Sequence, residues 1–87
     1  MYHIVVRKHL DRNFTKMAKK NPALLSAIHK KLVEIIGNPH HFKNLEAPKQ
    51  HLRRVHIGGS FVLLFSVDDK KKQIILEDFE HLDVVYG

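Results

Sequence analysis

Two segments with helical periodicity meet at the dipeptide Asn21-Pro22, and this junction constrains the fold more than any other feature. Asparagine is a good helix N-cap and proline suits the first helical position, so a helix is predicted at residues 22–36. The segment before it, residues 9–20, carries one apolar stripe. Because the link is so short, the two helices are predicted to form an antiparallel hairpin. The apolar positions of the two stripes are Leu10, Phe14 and Met17, then Leu24, Leu25, Ile28, Leu32, Ile35 and Ile36.

Extended segments flank the predicted hairpin. Residues 2–7 are short, β-branched and apolar, and they predict a first strand. Gly37 and Asn38-Pro39 end the second helix, and residues 40–50 have no period and predict a loop. Short turns separate the strands that follow, so these strands are predicted to pair antiparallel. The predicted strands are residues 52–57, 61–67 and 72–79.

The order β-α-α-β-β-β predicts an α+β fold. It consists of an N-terminal strand, an antiparallel helical hairpin and three antiparallel strands, with the helices packed on one face of the sheet. Residues 61–67 are nearly all apolar, which is typical of a central strand that is covered on both faces. The chain has 87 residues and no composition shift, so residues 1–87 are predicted to form one domain with a thin core.

The composition excludes several classes of protein. Hydrophobic residues make up 44% of the chain, which is too many for a disordered protein. No apolar run approaches the ~18 residues of a membrane span, and charged residues such as Arg7 and Lys8 interrupt any signal peptide. The absence of cysteine excludes disulfides and thiolate chemistry. We therefore expect a cytoplasmic protein without a membrane partner.

The charge balance favours a polyanion or an acidic protein as partner. Fifteen Lys and Arg residues stand against nine Asp and Glu residues, which gives a formal net charge of +6. Combined with imidazoles and guanidiniums on one predicted sheet, this charge makes RNA the expected substrate. Basic charge alone is also compatible with a role in solubility only.

Strand periodicity assigns the faces of residues 52–57. Val55 and Ile57 share one face and are predicted to point at the helices, so Arg54 and His56 point out of the sheet. We interpret Arg54 and His56 as a phosphate-binding pair, and the alternative is a solvated strand face. Arg53 is expected on the core side or its rim.

The C-terminal segment supplies a second candidate group. Asp83 is expected to orient His81, as a carboxylate often orients an imidazole. Tyr86 is expected at the sheet edge near Arg54 and His56, and the alternative is a frayed terminus. Imidazole, guanidinium, carboxylate and phenol groups suffice to bind a phosphate and move protons without a metal.

The eight histidines do not predict a metal site. His40-His41, and His51 with His56, lack the spacing of a zinc site, and no cysteine contributes. No cofactor or metal is expected.

Four segments together resemble the RelE/ParE superfamily of type II toxins, and in particular its archaeal RelE-like, YafQ-like branch. They are residues 41–45, 53–57, 61–65 and 81–86. The resemblance implies the same α+β fold and a ribonuclease that cuts mRNA, usually in the ribosomal A site, by attack of a ribose 2′-hydroxyl on the neighbouring phosphate. It also implies a RelB-like antitoxin as partner, and we expect a toxin–antitoxin heterotetramer.

The resemblance also implies roles for particular residues. Arg54 would clamp the scissile phosphate. His56 and His81 would be the acid and base, in an order that stays open, with Asp83 orienting His81. Tyr86 would stack on a base or hydrogen-bond the phosphate. The residues expected to contact RNA are Lys43, Arg53, Lys16, Lys19 and Lys20.

The chain departs from the family pattern at three positions. Many members have an arginine where this chain has Val62, and others follow the tail histidine where this chain has Leu82 and Asp83. Fewer cations predict weaker stabilisation of the transition state, so that catalysis is slow or ribosomal RNA completes the site. Two alternatives remain. One is a ParE-like toxin of the same fold that inhibits gyrase, which has no need of paired titrating groups. The other is a catalytically weak nucleic-acid-binding module.

Overall fold

Asn21 separates the helices of the hairpin by ending one and beginning the other. The computed structural model describes residues 1–83. The backbone N–H of Asn21 donates to the carbonyl of Met17 (2.8 Å), and the Asn21 side chain accepts a hydrogen bond from the Leu24 N–H (3.2 Å). Pro22 follows at the first helical position. The helices are α1, Lys8–Lys20, and α2, Pro22–Gly37.

Within the described residues, four strands form one mixed sheet in the order β1-β4-β3-β2. β1 runs parallel to β4, and the other neighbours are antiparallel. The predicted β-α-α-β-β-β order is confirmed, with bounds that differ by one or two residues. The hairpin carries the chain over the sheet, which allows the parallel pairing. The strands are β1, His3–Val6; β2, Arg53–Ile57; β3, Phe61–Asp68; and β4, Gln73–His81.

The main core lies between the hairpin and one face of the sheet. α1 packs on β4, and α2 packs on β2. Strand alternation supplies the sheet side of this core, since every second residue of β2 and β3 points at the helices. The buried members are Leu10, Ile28, Ile35, Val55, Ile57, Leu63, Phe65, Ile74 and Leu76.

A second, smaller apolar cluster covers the other face of β3. Val62 and Leu64 point away from the helices and pack against Leu45, with Leu52 and Leu82 around them. The expectation that this strand is covered on both faces is confirmed. Val62, the position at which the resemblance implies an arginine, is completely buried in this cluster.

The segment between α2 and β2 is more ordered than its lack of period predicts. It begins with a 3-10 turn, Pro39–His41, and then runs beside β2, where Asn44 bridges to Arg53. The Leu45 N–H donates to the Leu52 carbonyl (2.8 Å), which closes this segment into a hairpin-like loop. Part of the predicted loop therefore pairs with β2 along its outer edge.

A β-bulge interrupts β4 opposite the Leu64–Phe65 step of β3. Leu64 pairs with Asp78 and Phe65 pairs with Leu76, so Glu77 is the extra residue. Its carboxylate accepts hydrogen bonds from Arg7 (2.9 Å) and Ser66 (2.6 Å). Burial raises the pKa of Glu77, but the hydrogen bonds from Arg7 and Ser66 outweigh burial and leave that pKa below its ordinary value.

Replacing Leu63 with alanine tests the main core. Leu63 is fully buried, so Leu63→Ala should lower the free energy of unfolding by about 2–5 kcal/mol, measured by urea denaturation. The matched control is Val33→Ala on α2, where the side chain is 72% exposed, and it should change that free energy by less than about 0.5 kcal/mol. Equal effects of the two substitutions would contradict this description of the core.

Candidate functional site

Arg54 and His56 lie on the face of β2 that points away from the helices, as predicted. Val55 and Ile57, which alternate with them, belong to the main core. On β3, Arg54 pairs with Leu64 and His56 pairs with Val62. The packing of the core therefore fixes which face carries the two basic side chains.

An open cleft of ≈ 470 Å³ runs along β2 and is lined by basic residues of three segments, which are α2, the segment before β2, and β2 itself. The Arg54 N–H donates to the Lys43 carbonyl (3.1 Å), which holds the segment before β2 against the strand. The lining residues are Lys31, His41, Phe42, Lys43, Arg54, Val55 and His56.

The ionisable groups that line the cleft, within residues 1–83, are all basic. Lys31 also contacts Glu34, with 3.1 Å between Nζ and Oε2. Such a concentration of cations attracts an anion, and the imidazole nitrogens of His41 and His56 can donate or accept hydrogen bonds beside it. The cleft therefore has the chemistry to bind a phosphate and move protons.

Lys43, Arg54 and His56 are thus brought together as the sequence suggested, whereas Lys31 and His41 were missed. Helical spacing could have predicted the position of Lys31. It lies three residues after Ile28 and four before Ile35, and therefore on the side of α2 that faces β2. For His41 there was no comparable signal, because its segment has no period.

His81 does not lie on the face that carries Arg54 and His56. It pairs with Phe61, which pairs with Ile57, so His81 lies on the helix-packed face two strands from β2, about 10 Å away. Its ring contacts the ring of Phe61, with 5.5 Å between centroids. The structure therefore does not bring the two predicted acid–base histidines together on one face.

Asp83 does contact His81. The Asp83 N–H donates to His81 Nδ1 (3.3 Å), and an Asp83 carboxylate oxygen lies 3.5 Å from the same nitrogen. The Asp83 side chain is 91% exposed, so water competes for this carboxylate. Its orienting role stays a prediction, and Tyr86 lies outside the described residues.

The remaining predicted RNA contacts lie at two other places. Arg53 is on the core side, as expected, and donates to the carbonyl of Phe42 (2.8 Å). The α1 lysines are exposed on the helix that packs over β4, so α2 stands between them and the cleft. They are Lys16, Lys19 and Lys20, and their contact with RNA stays a prediction.

A polar network lies at the end of the sheet near the β3–β4 turn. Asp69 Oδ1 accepts a hydrogen bond from the Tyr2 hydroxyl (2.6 Å) and lies 2.9 Å from His40 Nε2. The hydrogen bond from Tyr2, followed by that from His40, holds the pKa of Asp69 below its ordinary value. The same bond raises the pKa of Tyr2 above its ordinary value, because it favours the protonated phenol.

Residues 1–83 offer neither an evident metal site nor a membrane span. No three or more metal-ligating side chains of the His, Cys, Asp or Glu type cluster there. Neither helix in this range combines the length and apolar character needed to cross a bilayer.

Two proteins of similar sequence match almost the whole chain. A protein of Methanosarcina mazei, named only as uncharacterised, is 49% identical over 86 residues, which cover 99% of this chain and 100% of that protein. A protein of Methanocaldococcus jannaschii, named as a candidate toxin RelE4, is 46% identical over 86 residues, which cover 99% of this chain and 92% of that protein. No family model matches the chain.

Three solved structures have a similar fold at low sequence identity. The YoeB–YefM complex of Staphylococcus aureus superposes with a TM-score of 0.79 at 15% identity, covering 92% of this chain and 95% of that chain. The toxin–antitoxin complex RelBE2 of Mycobacterium tuberculosis superposes with a TM-score of 0.76 at 18% sequence identity, covering 92% of this chain and 96% of that chain. YafQ of Escherichia coli strain BL21(DE3) superposes with a TM-score of 0.72 at 16% sequence identity, covering 100% of each chain.

These structures define the class of the fold, which is that of the RelE/ParE-like toxins. Sequence identity identifies the family within this class. The match of 46% over nearly the full length is far higher than the 15–18% identity of the solved structures that share the fold. The chain belongs to the RelE family of toxins.

Inorganic phosphate provides a test of the cleft that does not depend on any activity. Adding millimolar phosphate should shift the NMR signals of the His41 and His56 rings, because they share the cleft with three cations. The internal control is His29, which is exposed on α2 and lies two residues, or about 200°, from Lys31. Equal shifts at His29 and in the cleft would mean nonspecific binding.

Proposed function

We propose that this chain is the toxin of a type II toxin–antitoxin system and that it cuts mRNA on the ribosome. Family membership supports the class of function, and the basic cleft on β2 supports the reaction. The cleft carries the proposal because it combines cations that would hold a phosphate with two imidazoles that would move protons.

The proposed reaction is attack of a ribose 2′-hydroxyl on the adjacent phosphate. The bond between O2′ and phosphorus forms as the bond between phosphorus and O5′ breaks, giving a 2′,3′-cyclic phosphate and a free 5′-hydroxyl. A base removes the 2′ proton and an acid protonates O5′. Arg54 and Lys43 would contact the non-bridging oxygens, where negative charge accumulates in the transition state.

We assign one proton transfer to His56 and the other to His41, in an order that stays open. His41 and His56 both line the cleft, whereas His81 lies two strands from β2 and is not among its lining residues. The role of His81 as acid or base, oriented by Asp83, is kept as the rival assignment from the family resemblance.

The departures from the family pattern at Val62 and Leu82 bear on the rate of this reaction. The resemblance implies arginines at Val62 and Leu82, but Val62 is fully buried in the smaller apolar cluster and Leu82 packs against that cluster. An arginine at position 62 would have to bury its charge or displace the cluster. We therefore propose slow intrinsic cleavage, with ribosomal RNA completing the site.

A RelB-like antitoxin is the proposed partner. Two of the structures with a similar fold are toxin–antitoxin complexes, and a formal charge of +6 suits an acidic, partly disordered segment that folds on binding. We propose that this segment covers the basic cleft and that two toxins and two antitoxins form a heterotetramer.

Alanine substitutions in the cleft test the proposed reaction. Arg54→Ala, His56→Ala and His41→Ala should each lower mRNA cleavage about tenfold or more, because general acid–base steps contribute roughly 10²–10⁴. Cleavage is measured by primer extension on an mRNA translated in a reconstituted system. His29→Ala is the matched control, and it should cut at the wild-type rate.

Comparison of two variants decides between the assignments of the second proton transfer. Loss of cleavage in His41→Ala but not in His81→Ala supports the cleft assignment, and the reverse result supports the tail histidine. Cleavage at the wild-type rate in Arg54→Ala, His56→Ala and His41→Ala alike would show that the active site is elsewhere.

The salt dependence of binding separates RNA from a protein target such as gyrase. Affinity for ribosomes should fall steeply between about 50 and 200 mM salt, because each neutralised phosphate releases counterions. Lys43→Gln should reduce the slope of log affinity against log salt by about one. A slope that is flat in the wild type would favour the ParE-like alternative.

A further inference from the structure

Arg53 donates to the segment that forms one wall of the cleft. Nη1 donates to the carbonyl of Phe42 at 2.8 Å and to the carbonyl of His40 at 3.4 Å. Nη2 lies 3.2 Å from Nδ1 of His40. The planar guanidinium thus contacts three acceptors on His40 and Phe42. A lysine ammonium cannot reproduce several hydrogen bonds from one rigid planar group, so arginine and lysine are not interchangeable at such a site.

These contacts fix the tautomer of His40. A guanidinium only donates hydrogen bonds, so Nδ1 of His40 must accept from Arg53. The ring proton of the neutral imidazole is then on Nε2, from which it is donated to Asp69 Oδ1 at 2.9 Å. The Tyr2 hydroxyl donates to the same oxygen at 2.6 Å. A continuous chain of hydrogen bonds therefore runs from Tyr2, which directly precedes β1, through Asp69 and His40 to Arg53 of β2.

The acceptors of Arg53 flank the cleft residues that the proposed reaction uses. His41 stands between His40 and Phe42, and Lys43 follows directly. The Phe42 ring contacts Phe65 of the main core, with 5.8 Å between centroids. The backbone of residues 40–43 is thus held from one side by the core and from another by Arg53.

We propose that Arg53, held in place by His40, Asp69 and Tyr2, is a positioning residue that sets the geometry of His41 and Lys43 in the cleft. This inference rests on the proposed function, because its consequence is for catalysis at that cleft. On this proposal Arg53 does not contact RNA directly. It acts by holding residues 40–43, which form one wall of the cleft. A displacement of about 1 Å in a reacting group can cost roughly 10²-fold in rate.

The decisive variant is Arg53→Lys, which keeps the positive charge but loses the planar guanidinium and its several fixed N–H donors. A positioning role predicts that kcat for mRNA cleavage falls about tenfold or more while KM changes less than about threefold. An RNA-contacting role predicts nearly unchanged kcat and KM, because lysine still neutralises a phosphate. The matched control is Arg12→Lys on the exposed side of α1, which should change neither value.

A conservative pair at Asp69 separates positioning from a loss of folding. Asp69→Asn keeps an oxygen that accepts from His40 and Tyr2, so it should retain most of kcat. Asp69→Ala removes the acceptor and should lower kcat in the same way as Arg53→Lys. Equal kcat values for the two Asp69 variants would overturn the proposal, because the chain of hydrogen bonds would then have no effect on the cleft.

Amide hydrogen exchange gives a readout that does not depend on activity. Arg53→Lys should speed exchange of the Arg54 N–H, which donates to Lys43, and of the Leu45 N–H, which donates to Leu52. Amides between β3 and β4 should exchange as in the wild type. If wild-type protein cuts no mRNA, the proposed function fails, and unchanged exchange at Arg54 and Leu45 would separately overturn the positioning role.

Discussion

The packing of α2 on β2 is the interaction on which the rest of the structure depends. Ile28 and Ile35 meet Val55 and Ile57 in the main core, and this contact fixes the face that each residue of β2 occupies. Shifting the strand by one residue would bury Arg54 and expose the apolar residues beside it, at a cost of several kcal/mol for each unpaired charge. The core thereby orients the cleft without contributing polar side chains to it.

Most of the fold could be predicted from the sequence because its signals are local. The caps at Asn21-Pro22, the helical stripes and the alternation of β2 each depend on residues close in the chain, and each was confirmed. In the site, the face on which a side chain lies was predictable on the regular strand β2, as for Arg54 and His56. His41 lies in a 3-10 turn, and the residues on either side of it accept hydrogen bonds from Arg53. His40 in turn lies 2.9 Å from Asp69, and no periodic pattern connects these segments.

The smaller apolar cluster connects two departures from the family pattern that look independent in the sequence. Val62 lies on β3 and Leu82 follows β4, but both belong to the cluster that contains Leu45 and Leu64. A cation in place of the fully buried Val62 would put its charge among these apolar side chains. On this face of β3 the chain has apolar packing, and the basic residues of the cleft lie beside β2.

The bulge at Glu77 has an evolutionary consequence. Leu76 and Phe79 both face the helices although two residues separate them, because the bulge absorbs the extra position. A single-residue insertion or deletion between the bulge and His81 would exchange the faces of the residues that follow it in β4 in one event. The end of β4, His81 included, can therefore move between the two faces of the sheet while its own residues stay the same. Two proteins that differ by one such event would share this strand end and still have it in different surroundings.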